Sequence, residues 1–438
     1  MFFPSLCVGL CTRRLVGGQG IVYYRGMKLF FSAGDPSGDI HAAALIQKIR
    51  QLAPNTEFVG FGGPEMQKVG CALLVDLTKY AIMWFAQAIA QYFRFRKFLN
   101  DAIAFFRTEH VDAVILVDYP GFNWHVAKAA KRLGIPVFYF MPPQVWAWAQ
   151  WRVKKMRRYV DGILCPLDFE RRWYRERGCP TAFIGHPFFE QVRNRESDPV
   201  FLESFYAKYG DGPILTLLPG SRNQEVKANL DDMLLAVEYV RSVVPEVRPV
   251  VAAFNEIHAE YIQDRVKELE QNIPVFVGRT PELIRAADCC LAVSGSVTLE
   301  LLACNIPTVV YYRIGSFGLL VQRFFRRTKY ITLVNLLGLD CQRDPNFPGS
   351  PIFYDDSVRV IPAEPDTHDR NLMFFPEFLT STDRSKDAAA YLIYWLSAPK
   401  NLAEHKHHLA ALLRYVDRID SPLDRAARCL LGGLESGG

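Results

Sequence analysis

Short apolar runs alternate with longer segments of helical period along most of this chain. Lys28 to Ala33 (KLFFSA) reads as the first strand, and Ile40 to Leu52 repeats its apolar residues at the spacing of one helix face. Further apolar runs at 57–61, 113–117, 136–140, 162–165 and 181–184 read as strands with loops and helices between them. A polar stretch with prolines at both ends, Gly185 to Pro199, breaks the series and marks a domain boundary. A second series follows, with strands at 214–218, 248–253, 274–277 and 289–293 and one ending at Tyr311–Arg313. Its helices are expected at 226–243, 257–270 and 280–287. Residues 340–370 are rich in Pro and Asp, carry no period and read as a loop insertion. From Lys386 to about Leu431 the pattern is helical again. Such alternation predicts an α/β protein of parallel sheets covered by helices on both faces. The expected division is 27–190, 195–395 and C-terminal helices with a tail over 396–438. Residues 1–26 are set aside as a disordered extension or misassigned start, because Met27 directly precedes the first credible strand.

Composition narrows the classes. A chain of 438 residues with 50% hydrophobic content is long enough for two cored domains. A formal net charge of +5 argues against nucleic acid as a partner. The ten cysteines show no paired metal-ligand spacing, and Cys289–Cys290 lie inside an apolar strand, so a reducing, cytosolic setting without a metal site is expected. No apolar run reaches the roughly eighteen residues that span a bilayer.

Parallel sheets bind ligands beyond the carboxyl ends of their strands, so the chemistry is sought in the loops there. In PILTLLPGSRNQEV, residues 213–226, an apolar strand breaks at Pro219–Gly220 and runs into a helix near Glu225. Gly220 permits close approach, Ser221 and Arg222 sit among unpaired helix N-terminal amides, and the Arg222 fork suits phosphate oxygens. These residues alone leave two readings open, a diphosphate seat or an ordinary connection with a solvated arginine. Ser294–Gly295–Ser296 is a second small-residue turn into a helix, and Glu300 one turn on can reach a ribose hydroxyl. In the first half, SAGDPSGD places Gly34, Asp35, Ser37 and Asp39 after the first strand. The acids suit hydroxyl recognition, and Ser37 or Asp39 equally suits helix capping. Asp118 ends the strand AVILV and is a candidate general base, or else a turn former. Gln144, Trp146 and Trp148 lie in PPQVWAW, which reads as a rigid aromatic wall or as core packing.

A different feature lies between Tyr80 and Phe106. Met83, Trp84 and Phe85 are strongly apolar and lead into YFRFRKF, which contains Arg94 and Arg96. Aromatics beside basic residues match an interfacial helix on anionic lipid, and the alternative is an amphipathic helix buried on the sheet. Gln322 to Arg327 repeats that composition.

Taken together, SAGDPSGDIHAA, FVGFGGPEMQKVGC, VDYPGFN, PPQVWAW, FIGHP, LLPGSRNQEV, SGSVTLE and YITLVNLL resemble, in order and approximate spacing, the lipid-A-disaccharide synthase family. The resemblance covers roughly residues 27–340 and resumes weakly at Phe375–Phe378. It implies two Rossmann-like domains of GT-B architecture with the active site in the cleft between them. It also implies transfer from UDP-2,3-diacylglucosamine to 2,3-diacylglucosamine 1-phosphate, forming a β(1→6) disaccharide and UDP, with inversion and no cofactor. Asp118 would then deprotonate the acceptor hydroxyl, with Asp35 standing where the family usually carries Glu. Arg222 would hold the diphosphate, with Gly220, Ser221 and Glu225 beside it as UDP-binding residues, Ser294 to Glu300 would hold the rest of the nucleotide, and Asn335 aligns with a family site residue. The implied setting is cytoplasmic and peripheral, on anionic lipid at the inner face of the inner membrane, with a homodimer compatible. Departures are Asp35, Pro36, Gly121 in place of a second Asp, Trp84 in place of Gly, and the 340–370 insertion. The competing readings are a UDP-sugar 2-epimerase of the same architecture and a non-catalytic lipid- or nucleotide-binding protein.

Overall fold

A computed structural model of the chain describes residues 26–80, 88–315, 330–341 and 373–435. The chain divides into two compact units. The first runs to Pro187 and takes up the chain again from Ile419, and the second is Phe188–Arg418.

The first unit holds strands β1 (Lys28–Ala33), β2 (Glu57–Gly62), β3 (Ala72–Asp76), β4 (Ala113–Val117), β5 (Val137–Phe140), β6 (Gly162–Cys165) and β7 (Thr181–Phe183). They form one parallel sheet in the order β3-β2-β1-β4-β5-β6-β7. Side chains alternate between its faces, as the two-residue strand period requires. Phe30, Val114 and Leu116 pack with Phe98, Phe106 and Val126 of the helices Ala88–Thr108 and Pro120–Arg132. Leu29, Phe31, Ile115 and Val117 pack with Leu45 and Ile46 of Pro36–Leu52 and Leu430 of Pro422–Glu435. The last helix, grouped by the sequence pattern with a separate C-terminal segment, thus completes the core of the first unit.

The second unit carries β8 (Ile214–Leu218), β9 (Arg248–Ala253), β10 (Val275–Val277), β11 (Cys289–Ala292), β12 (Thr308–Arg313) and β13 (Glu377–Thr380). They are parallel and ordered β10-β9-β8-β11-β12-β13. Helices Asn223–Val243 and Ser385–Leu396 cover one face, with Leu217, Leu291, Val309, Leu234, Leu392 and Trp395 in the core. Cys289 and Cys290 are buried and free, as core residues.

Two strands escaped the periodicity. β3 (ALLVD) is a partly exposed edge strand, and β13 is four residues long. Two helices start earlier than expected. Pro36 occupies the first helical turn, where its fixed φ fits, so Ser37 and Asp39 are helical rather than part of a turn. Asn223 starts the next directly after Arg222, the N-cap. Among the described residues no helix is long and apolar enough to cross a membrane.

Candidate active site

In each sheet the chain leaves two neighbouring strands toward opposite edges, β1 and β4 in the first and β8 and β11 in the second. The crevice beyond their carboxyl ends is where an open parallel sheet binds ligands. All four loops singled out for glycine turns or terminal acids follow these strands.

β1 delivers Gly34–Asp35, and β4 delivers Asp118–Tyr119. Asp118 and Tyr119 both have left-handed backbone, with φ of 38° and 46°. That conformation costs each side-chain-bearing residue roughly 1–2 kcal/mol, so other contacts must hold it. Asn123 does so. Its amide nitrogen donates to the carbonyls of Ser32 (3.1 Å), Val117 (3.2 Å) and Asp118 (2.8 Å), and its oxygen accepts from the Ser32 hydroxyl (2.7 Å). The Tyr139 hydroxyl donates to the Asp118 carbonyl at 2.5 Å, and the Asp118 amide reaches the Met141 carbonyl at 3.3 Å. Gly34 makes room for this turn, since a Cβ there would lie 2.1 Å from the Tyr119 ring.

The Asp118 carboxylate is open to solvent on one side and walled by protein on the others. Desolvation, reinforced by the Asp35 charge, raises its acid to about 6. Asp35 is half-buried and also titrates above the usual carboxylate range, through desolvation first. Its Oδ1 is buried without a hydrogen bond of normal geometry, although the nearby Gly38 amide favours its charged form. A carboxyl in a crevice whose acid is raised toward neutrality by desolvation and a neighbouring carboxylate is a candidate general base.

Other expectations for this unit change. Ser37 is exposed. Asp39 is 1% exposed and accepts from the amides of Gly63 (2.8 Å), Glu65 (2.9 Å) and Met66 (3.1 Å). It caps the helix Pro64–Lys68 rather than its own, and its oxygens are committed to that task. Gln144 is exposed, but Trp146 is buried, and its indole nitrogen donates to Glu170 at 2.7 Å, so it belongs to the packing and not to a ligand-facing wall. The indole of Trp148 is not among the described side chains. Met83, Trp84, Phe85 and the stretch Gln322–Arg327 lie outside the described residues, as does most of the 340–370 stretch. Arg94 and Arg96 are exposed beside Phe93 on the helix Ala88–Thr108.

At the second switch point Gly220 has φ 123°, and a Cβ there would lie 2.7 Å from the Glu225 Cβ. The Arg222 side chain is 78% exposed. Glu225 was expected to face a nucleotide. Instead its Oε2 accepts from the Ser221 and Arg222 amides (3.3 Å each), and its Oε1 from the Arg222 guanidinium (2.7 Å). An internal carboxylate therefore sits where an anion would. Across the crevice Gly295 and Ser296 are exposed and Ser294 is half-buried. The helix behind them, Val297–Ala303, has only seven residues, so its dipole is small. Glu300 is buried and tied to Arg195, which leaves it poorly disposed toward a ribose.

Asn335 is also a clamp. It is fully buried, donates to the Phe375 carbonyl (2.7 Å) and Glu377 (3.0 Å), and accepts from the Phe375 amide (2.9 Å). Glu377 in turn accepts from the Ile331 and Thr332 amides ahead of the helix Leu333–Cys341. The separated motifs YITLVNLL and FPEF are thus two halves of one capped helix start. Sequence reasoning assigned no role to Asn123, Tyr139, Glu170 or Glu377. Apart from the Val117 and Asp118 carbonyls for Asn123, their partners lie more than twenty residues away along the chain, and the only available signal was Asn123 standing five residues after Asp118.

The model of the family described as Lipid-A-disaccharide synthetase matches residues 29–341. The chain is 35% identical to the lipid-A-disaccharide synthase of Nitrosococcus oceani over 70% of this chain and 79% of that one. It is 35% identical to that of Myxococcus xanthus over 71% and 81%. In fold it is similar to a putative UDP-N-acetylglucosamine 2-epimerase from Listeria monocytogenes (TM-score 0.57, 10% identity, 91% and 99% covered). It is likewise similar to CalG4, the calicheamicin glycosyltransferase (TM-score 0.56, 11% identity, 95% and 100% covered). At such identities these two establish only a shared architecture of Rossmann-like domains, that of GT-B enzymes. The sequence matches are closer and agree with one another: this chain belongs to the lipid-A-disaccharide synthase family of glycosyltransferases.

Proposed function

We propose that this protein moves 2,3-diacylglucosamine from UDP-2,3-diacylglucosamine to the 6-hydroxyl of 2,3-diacylglucosamine 1-phosphate, with inversion at the anomeric carbon and release of UDP. The observation that carries this reading, beyond family membership, is Asp118. Its carboxylate meets solvent at a sheet switch point, on a backbone held by Asn123 and Tyr139, with an acid of about 6. Above that pH it accepts the hydroxyl proton as the oxygen attacks the anomeric carbon. The bond from that carbon to the diphosphate oxygen breaks on the opposite face. Asp35 raises the basicity of Asp118 through its charge and offers an oxygen to a sugar hydroxyl. Arg222, with the amides now capped by Glu225, takes the charge that develops on the leaving diphosphate. Ser294, Gly295 and Ser296 offer polar groups to the remainder of the nucleotide. Glu225 must yield its amides for this to happen, so nucleotide binding exchanges one anion for another.

Both substrates carry acyl chains, and Phe93, Arg94, Arg96 and Lys97 are exposed on one helix. That composition supports contact with anionic lipid at the inner face of the inner membrane. The decisive experiment incubates purified protein with the two acylated sugars separately and together. Disaccharide and UDP are expected only from the mixture. Epimerised UDP-sugar without acceptor, or no product at all, refutes the assignment.

A further inference from the structure

Glu170 takes no part in the chemistry described above, yet it is a carboxyl buried to 1% exposure in the helix Asp168–Glu176. Its Oε1 accepts the Trp146 indole N–H at 2.7 Å, and its Oε2 is buried without a hydrogen-bond partner. The neighbouring arginines do not neutralise it, because Arg171 and Arg172 pair with Asp168 at 2.7 and 2.6 Å. Among the described residues the titratable groups that face it are Asp118 from the end of β4, Cys165 from β6 and Tyr174 from its own helix. None of them brings a positive charge.

We infer that Glu170 is a positioning residue for the transfer reaction, holding the loop after β5 in its working form while it carries its proton and releasing that loop when it ionises. The inference rests on the reading of Asp118 as the base.

The physical path is continuous. The helix Asp168–Glu176 grips the loop twice, through Glu170 to Trp146 and through the Tyr174 hydroxyl to the Pro143 carbonyl at 3.1 Å. The loop begins at Met141, whose backbone is left-handed at φ 52° and whose carbonyl accepts the Asp118 amide at 3.3 Å. A displaced loop therefore withdraws one of the contacts that hold the Asp118 turn. Burial, opposed by the Trp146 hydrogen bond and reinforced by the Asp118 charge, raises the Glu170 acid to about 8. The neutral acid accepts the indole N–H on its carbonyl oxygen and leaves one hydroxyl unpaired, a smaller cost than an unpaired buried charge. The ionised form is a bare charge with one neutral donor, and an interior relieves such a charge by admitting water. Trp146 and the loop would have to move to let water in.

The test compares wild-type protein with Glu170→Gln and Trp146→Phe. Glutamine keeps the acceptor for Trp146 and cannot ionise. For wild type, kcat should fall as pH rises through about 8, with UDP affinity unchanged. Glu170→Gln should stay within about twofold of wild type at neutral pH and keep its rate through the alkaline range. Trp146→Phe should lose kcat by about tenfold at every pH. An alkaline fall in Glu170→Gln equal to that of wild type overturns the inference. So does a folded Glu170→Gln that is inactive at neutral pH. Tryptophan fluorescence is the readout that needs no turnover. Its pH titration should show a transition near 8 in wild type that Glu170→Gln lacks. A persistent transition in Glu170→Gln sinks this inference even if disaccharide is made. Absent disaccharide with the expected titration sinks the functional reading instead.

Discussion

Replacing Asn123 by alanine is the perturbation whose consequence follows most directly from the geometry. The side chain is fully buried, takes part in four hydrogen bonds, and ties the end of β1 to the turn after β4. Its removal leaves buried carbonyl groups and the Ser32 hydroxyl short of partners. A typical intramolecular hydrogen bond contributes about 1 kcal/mol net, and a buried group left unpaired costs about 1–3. Relaxation of the strained φ values at Asp118 and Tyr119 returns some of that, roughly 1–2 kcal/mol per residue at most. The expected loss is therefore about 2–4 kcal/mol in the stability of the first unit. Six of the seven tryptophans precede Phe188, so fluorescence-detected urea unfolding reads that unit selectively. Activity should fall further than stability requires, because a shift of about 1 Å in a reacting group costs on the order of a hundredfold. UDP titration should be unaffected, since the proposed nucleotide contacts lie in the other unit. Asn123→Asp separates hydrogen bonding from packing. It keeps the volume and sets a carboxylate oxygen against the carbonyls of Ser32, Val117 and Asp118, so it should damage the unit at least as much as alanine at neutral pH. Loss of less than about 0.5 kcal/mol in both variants with full activity would refute the claim that Asn123 holds the turn.

Further expectations concern charge. The kcat/KM profile should rise with pH through about 6, because Asp118 must lose its proton to act as a base. Asp35→Asn removes a negative neighbour, favours the ionised form of Asp118 and should move that limb to lower pH; a limb that stays or moves upward contradicts the coupling. Arg222→Ala should weaken UDP binding by about tenfold or more, as lost charge-assisted hydrogen bonds to a diphosphate do, and equal affinity by titration would remove its role. Glu225→Gln should bind UDP more tightly than wild type at modest cost in helix stability, because the competing carboxylate is gone; weaker binding would mean that Glu225 assists the nucleotide instead of standing in its place. Co-sedimentation with anionic vesicles at low salt should be reduced by replacing Arg94 and Arg96 together, and an unchanged bound fraction would exclude that helix from the contact.

The strands and the loops that end them were readable because a parallel strand buried on both faces is an unbroken apolar run, and Gly, Pro or Asp at its end is conspicuous. AVILV before Asp118 and ILTLL before Pro219 are of this kind. Strand order was not readable from periodicity. It is the order that sets β1 beside β4 and β8 beside β11, and so brings Asp35 to Asp118 and the Gly220 turn to Ser294–Ser296.

The acids and the amide whose polar atoms are already committed to the fold share one physical cause. Asp39, Glu225, Glu300 and Asn335 are polar groups near helix starts or strand ends, where backbone amides and carbonyls lack partners. A carboxylate in such a place satisfies the fold or a ligand equally well, and sequence alone does not distinguish the two. The structure distinguishes them by what is already committed. Asp39 spends its oxygens on three amides and Asn335 spends its amide on β13 and the segment before it, whereas no side chain among the described residues donates to the Asp118 carboxylate. Asn123 and Tyr139 grip the backbone of that residue and leave its carboxylate facing water. A group held rigidly through its main chain while its acid remains open is suited to proton transfer, and this is the physical ground on which the proposed role of Asp118 is set apart from the other acids around it.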